Sequence, residues 1–249
     1  MAERIDTINE KLSLRERTDG LTFGTDAFLL AAFIRPAPRA RAVELGAGTG
    51  VISLLCASKR KFAHVTAVEI QKEFVEIAAR NVVENGLSDV VDVREGDVRE
   101  LRVNDIGGEV NTVFANPPYM RADTGAANQS DAKNAARHEV FGGIDDFCAC
   151  AARLLKTGGH FVSVWRPDRL CDLLAAMKTA RLEPKRMTFV HADAETEPSM
   201  VLVDAVRGGA AGLRVTPPLL LHDCPCDVRG ARRLSDAATR VYDECRLSY

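Results

Sequence analysis

Short apolar runs alternate along this chain with stretches in which apolar residues recur every three or four positions. "ARAVELG" (40–46), "HVTAVEI" (64–70), "VVDVREGD" (90–97), "NTVFAN" (111–116) and "HFVSVWRP" (160–167) read as buried strands. Between them lie "VISLLCASKR" (51–60), "QKEFVEIAARNVVENG" (71–86) and "DDFCACAARLLKTGG" (145–159), each with helical spacing. In the second of these, Phe74, Ile77, Ala78 and Val82 form the apolar face, and Gly86 is the expected stop. The glycines at 158 and 159 are expected to end the third. After a further helix, "DRLCDLLAAMKTA" (168–180), "PKRMTFVHA" (184–192) and "MVLVDAV" (200–206) read as two strands joined by a polar loop, able to add an antiparallel edge. Strands alternating with helices of this length predict an α/β fold: a doubly wound, mostly parallel sheet of seven strands.

The ends depart from this rhythm. Residues 1–39 are expected to be a small N-terminal appendage packed on the core, with "KLSLRER" (11–17) strand-like and "GTDAFLLAAFI" (24–34) an amphipathic helix opening at Thr25 or Asp26. Residues 40–223 form the main domain, and 224–249 a closing loop and helix. No internal repeat interrupts the order.

Composition narrows the class. A chain of 249 residues with 46% hydrophobic and 27% charged residues is expected to be globular. The formal net charge of −2 announces no nucleic acid, so any such surface must be a local patch. The first residues lack the pattern of a secretory leader, and no run is long enough for a membrane helix, so no membrane partner is expected. Seven cysteines without framework spacing predict reduced thiols in a cytoplasmic protein. Cys148 and Cys150 fit the core, and the pair at Cys224 and Cys226 lacks further ligands, so no metal is expected. His64, His160, His191 and His222 have no ligand spacing and are read as packing residues.

Polar groups gather at the predicted strand ends. Glu44, Gly46, Gly48 and Gly50 form "ELGAGTG" between a strand and a helix, where glycine permits a tight turn and close approach of a ligand to backbone. Glu69 ends the second strand, where a carboxylate can accept both hydroxyls of a ribose, and Asp97 ends the third, within reach of an adenine amino group. Together they point to a cofactor containing adenosine.

The fourth strand ends in Asn116-Pro117-Pro118-Tyr119. The prolines remove N–H donors and hold the preceding residues extended, so this backbone presents acceptors only. An amino group conjugated to a ring or carbonyl must pyramidalise before it can attack a methyl group. The Asn116 side-chain oxygen and the Pro117 carbonyl could grip its two hydrogens, while Tyr119 stacks on the base.

These motifs, in this order, resemble the class I S-adenosylmethionine-dependent methyltransferases, with their Rossmann-like fold. The resemblance implies S-adenosyl-L-methionine as cofactor. It places Glu44 and the Gly46–Gly50 loop at the methionine moiety, Glu69 at the ribose and Asp97 at the adenine. "LTFGTDAFLLAAF" (21–33), "ARHE" (136–139) and the stretch 189–223 further resemble bacterial valine-tRNA adenine-N6 methyltransferases, over about residues 3–223. That likeness implies methylation of adenine 37, beside the anticodon. It also puts Thr25 and Asp26 near the cofactor, where Asp26 could bind its amino group; either residue could instead be a helix N-cap. The tail from Cys224 departs from the family pattern. A glutamine amide, a DNA adenine, or RNA binding without turnover are the alternatives.

For the tRNA partner, Arg121, Lys133, Arg137 and His138 lie in the long polar segment after the motif. Lys185, Arg186, Arg229, Arg232 and Arg233 are further candidates for phosphate. The chain is compatible with a monomer.

Overall fold

Strands buried on both faces need helices on both sides, and this chain supplies them in alternation. The computed structural model describes residues 3–9, 12–18, 24–118, 142–223 and 233–247. Its central sheet contains β3 (Ala37–Leu45), β4 (Phe62–Glu69), β5 (Val91–Glu95), β6 (Val110–Ala115), β7 (Leu155–Trp165), β8 (Leu182–His191) and β9 (Pro198–Arg207). These seven run in the order β8-β9-β7-β6-β3-β4-β5. The two-residue strands β10 (Arg214–Val215) and β11 (Leu219–Leu220) both pair with β8. All pairings from β7 to β5 are parallel, and β9 is antiparallel to both its neighbours. The last two long strands form the expected antiparallel hairpin at this end of the sheet, with β9 lying between β7 and β8. Periodicity reports how a strand is buried, not which strand it pairs with.

The helices are α1 (Thr25–Phe33), α2 (Val51–Ser58), α3 (Lys72–Glu84), α4 (Ile144–Leu154), α5 (Leu170–Thr179) and α6 (Asp236–Glu244). Helix α4 stops before the glycines expected to end it. Leu155 turns extended at φ −74° and ψ 145°, and Gly158 and Gly159 fall inside β7, where its register with β6 shifts. Helix α1 is not amphipathic: Ala27–Phe33 are all buried, the pattern of a helix covered on every side.

Its last carbonyls lack partners within the helix and are met by two buried cations. Lys61 Nζ donates to the carbonyls of Ala31 at 2.6 Å and Ile34 at 2.9 Å. Arg186 Nη2 donates to the Phe33 carbonyl at 2.6 Å and stacks over the Phe33 ring at 3.8 Å. Arg186 also faces Asp204 at 3.5 Å, so it is a core cation, not the phosphate ligand its charge suggested. These contacts fix α1 with its N-terminus at the C-terminal edge of the sheet.

The N-terminal segment contains a strand the pattern did not reveal: β1 (Glu3–Asn9) pairs with β2 (Leu12–Arg17) as a separate two-stranded sheet. Leu12, Leu14 and Glu16 point inward. Strand β2 docks on α3 through two asparagines one turn apart. Asn85 Oδ1 accepts the Ser13 N–H at 3.0 Å, and its Nδ2 donates to the Ser13 carbonyl at 2.8 Å. Asn81 does the same for Arg15, at 2.7 and 3.1 Å. Two side-chain amides thus stand in for a neighbouring strand.

Candidate active site

Strand register assembles the site. Leu45 of β3 pairs with Ala115 of β6 on one side and Val68 of β4 on the other. The next residues, Gly46, Asn116 and Glu69, therefore emerge at one level from three adjacent strand ends, spaced about 4.8 Å apart. Chain connections leave β3 and β6 in opposite directions along the sheet, so the crevice lies at its switch point, where open α/β sheets bind ligands.

The loop from Gly46 to Gly50 needs its glycines. Gly46, Gly48 and Gly50 have φ of 69°, 54° and 84°, a region that penalises a side chain. A Cβ on Gly46 would also press on the Phe147 ring at 3.3 Å, whereas one on Gly48 meets nothing within 4 Å. Gly48 therefore borders open space, as a ligand cradle requires.

Two buried carboxylates hold the loop. Glu44, 1% exposed, accepts the Ser53 N–H at 2.9 Å and the Ser53 hydroxyl proton. Burial pushes its pKa up to about 8 against these two bonds, and the Glu69 charge adds to the rise. Glu69 Oε2 accepts the Gly48 N–H at 2.8 Å, and Oε1 accepts from Gln71 at 2.9 Å. A carboxylate offers about four acceptor positions, so Glu69 retains capacity for ribose hydroxyls.

Asp97 lies two residues beyond the end of β5 rather than at it, since the strand closes at Glu95. Its carboxylate is held by Arg99: the backbone N–H and Nε donate to Oδ1 at 2.8 and 2.9 Å, and Nη2 pairs with Oδ2. Those bonds lower its pKa. An adenine amino group would have to share Asp97 with that guanidinium. Nothing in the residue pattern singles out Arg99 for this part.

Asn116 is half-buried, Pro117 buried and Pro118 half-buried. Asn116 Nδ2 donates to Asp26 Oδ2 at 2.8 Å. Asp26 Oδ1 accepts the Ala27 N–H at 2.9 Å. The N-cap of α1 is Gly24, so neither Thr25 nor Asp26 serves as the cap. Thr25 Oγ1 lies 3.2 Å from Tyr242 Oη of α6. Tyr119, Arg121, Lys133, Arg137, His138, Cys224, Cys226, Arg229 and Arg232 lie outside the described residues.

Beside Asp26 a groove of about 760 Å³ opens between the start of α1, residues 166–168 after β7 and residues 197–200 at the start of β9. It lies on the β7–β9 side of Asn116, opposite the glycine loop. Its residues, Arg166, Glu197 and Ser199 among them, carry no signal in the sequence pattern, because the antiparallel insertion of β9 is what brings them there.

Other sequence candidates are structural. Cys148 and Cys150 are fully buried, and burial raises the pKa of both, to about 11 for Cys150. His160 pairs with Asp204 at 2.7 Å, and His191 and His222 face backbone carbonyls. Among the described residues no helix is long and apolar enough to cross a membrane, and no cluster of metal-binding side chains forms.

The family model described as methyltransferase small domain matches residues 18–180. A protein of Phocaeicola vulgatus, named tRNA1(Val) (adenine(37)-N6)-methyltransferase, is 31% identical over 180 residues, covering 72% of this chain and 74% of that one. A Porphyromonas gingivalis protein of the same name is 28% identical over 185 residues, 72% of each chain. Among solved structures, a predicted O-methyltransferase from Agrobacterium tumefaciens aligns with a TM-score of 0.70 at 25% identity, covering 90% of this chain and 98% of that one.

Proposed function

The chain belongs to the methyltransferase small domain family, and on that premise we propose that it methylates the N6 amino group of an adenine in tRNA, at position 37 of valine tRNA. It is a methyltransferase, and its methyl donor is S-adenosyl-L-methionine. The tRNA, the base and the position come from the names of its relatives. The observation that carries the choice of an amine is the Asn116 amide, at the level of the glycine loop with its NH₂ end turned to Asp26.

When bound, the donor supplies a methyl group on a sulfonium: the amine lone pair forms the new N–C bond as the C–S bond breaks toward sulfur, and the amine then sheds a proton. The protein's part is to prepare the amine. An exocyclic amine is a weak nucleophile because its lone pair is delocalised into the ring. Asn116 Oδ1 and the Pro117 carbonyl accept its two N–H groups and favour the pyramidal form. A hydroxyl has one proton to offer such a pair, so an amine uses it fully. Holding the nitrogen in line with the methyl group supplies much of the remaining acceleration.

Glu69 is the ribose ligand in this reading, Asp97 and its neighbours meet the adenine, and Glu44 supports the loop at the methionine end. Thr25 borders the site, Tyr119 stacks on the acceptor base, and Arg121, Lys133, Arg137 and His138 meet the phosphates. The test is to incubate the protein with labelled donor and total bacterial tRNA, then digest to nucleosides. Label is expected in N6-methyladenosine from valine tRNA. Label only in a glutamine of a release factor, in duplex DNA or in a ribose hydroxyl would overturn the reading.

A further inference from the structure

A terminal amide can turn over about its last torsion at little intrinsic cost, and the two orientations have opposite meanings. With Oδ1 toward the acceptor, Asn116 grips an N–H. With Nδ2 there, donor meets donor. Something must choose between them, and the choice is visible. Asp26 Oδ2 accepts from Asn116 Nδ2 at 2.8 Å, so the amide presents its NH₂ to Asp26 and its oxygen elsewhere.

Asp26 is itself fixed. Its other oxygen accepts the Ala27 N–H at 2.9 Å in the first turn of α1, where the helix dipole favours a negative charge. The far end of α1 is anchored by Lys61 and Arg186. Gly24 leaves room for this arrangement: a Cβ there would lie 2.8 Å from Asp26 Oδ1. Gly24 has φ −110° and ψ −176°, extended backbone open to any residue. Its value is therefore the space it leaves the carboxylate.

We infer that Asp26 is a positioning residue for the methyl transfer, orienting the Asn116 amide so that Oδ1 faces the amine, rather than a ligand for the methyl donor. Asp26 also lines the groove formed with residues 166–168 and 197–200, on the side of Asn116 away from the glycine loop. The inference rests on the proposed amine methylation and adds what selects the productive amide orientation.

Three variants test it: Asp26→Ala, the near-isosteric Asp26→Asn, and Gly24→Ala, which crowds the carboxylate without altering it. Asp26→Ala is expected to lower the single-turnover rate at saturating donor and tRNA by about a hundredfold, the scale of a small misplacement of a reacting group. Asp26→Asn can pair with Asn116 in either amide orientation, so its loss is expected to be about tenfold or less. Gly24→Ala is expected to fall between them. Donor affinity by calorimetry should stay within about threefold in all three, because in this reading the lost hydrogen bond orients the group that meets the amine and does not itself touch the donor. A wild-type rate in Asp26→Ala, or a loss confined to donor affinity, overturns the inference.

A second readout needs no acceptor and so separates this inference from the tRNA reading. In ¹⁵N spectra of the free protein, the Asn116 side-chain NH₂ is assigned by its disappearance in Asn116→Ala. It should show slowed hydrogen exchange in wild type and fast exchange in Asp26→Ala. Unchanged exchange overturns the inference, whatever the acceptor proves to be. Wild-type protein that leaves tRNA adenine unlabelled while keeping the protected amide overturns the substrate reading alone.

Discussion

Glu44 is an acid placed where water cannot reach it. Two hydrogen bonds from Ser53 do not offset the loss of solvation, so its pKa rises from 4.5 to about 8. A raised carboxyl pKa means the folded state binds the proton more tightly than the unfolded chain does. The stability it contributes is complete below about pH 4.5 and is lost as pH rises through about 8. Glu44→Gln keeps an acceptor for Ser53 and removes the titration. Its melting temperature relative to wild type should therefore climb between pH 5 and pH 8.5. Each kcal/mol corresponds to roughly 2–4 °C in a chain of this size. A gap that stays constant across that range would show that Glu44 is ionised throughout in the folded protein. In sequence, Glu44 was recognisable as part of the glycine motif. Its partner Ser53 was not, because nothing in the pattern distinguishes a serine on the inner face of α2 from one on its surface.

At the scale of elements, Asn81 joins the β1–β2 hairpin to the glycine loop. Asn81 is fully buried; besides pairing with both backbone groups of Arg15, its Nδ2 donates to the Thr49 carbonyl at 2.9 Å, inside the glycine loop. Asn85, one turn on, holds Ser13 and its own helix but does not reach that loop. Asn81→Ala leaves buried backbone groups without partners and should cost about 2–3 kcal/mol. It should also weaken donor binding several-fold, because Thr49 loses its anchor. Asn85→Ala should cost about 1 kcal/mol and leave donor affinity unchanged. Urea denaturation and calorimetry with the donor separate the two; equal effects on affinity would show that the hairpin, not Asn81 itself, supports the loop. The alternation of "KLSLRER" was readable because Leu12 and Leu14 face inward, but β1, "ERIDTIN", has no apolar face to announce it. The seven long strands and the helices between them were readable for the same reason in reverse: burial imposes the periodicity. Insertion of β9 between β7 and β8 was not, because backbone pairing leaves no mark on side-chain pattern.

Taken whole, the molecule divides its sheet at the β3–β6 boundary. The β3–β5 half carries the glycine loop, Glu69 and Asp97, and the β6–β9 half carries Asn116 and the groove beside it. Helix α1 serves the second half, and the C-terminal helix α6 braces α1 across a separation of more than two hundred residues. Tyr242 packs against Phe28 with the rings tilted at 56° and their centroids 5.1 Å apart, and its hydroxyl meets Thr25 at 3.2 Å, one residue from Asp26. The two contacts can be separated. Tyr242→Phe keeps the ring and loses one partly exposed hydrogen bond, so stability should fall by no more than about 1 kcal/mol. Tyr242→Ala removes the ring from a site backed by buried Phe28 and Val241, and should cost about 2–3 kcal/mol. If α6 holds the start of α1 in place, the turnover rate should follow the ring: near wild type in Tyr242→Phe and reduced several-fold in Tyr242→Ala under conditions where both remain folded. Thermal melts alongside single-turnover rates check this. A Tyr242→Ala protein that is destabilised yet turns over at the wild-type rate would make α6 a stabilising strap with no part in setting Asn116 and Asp26.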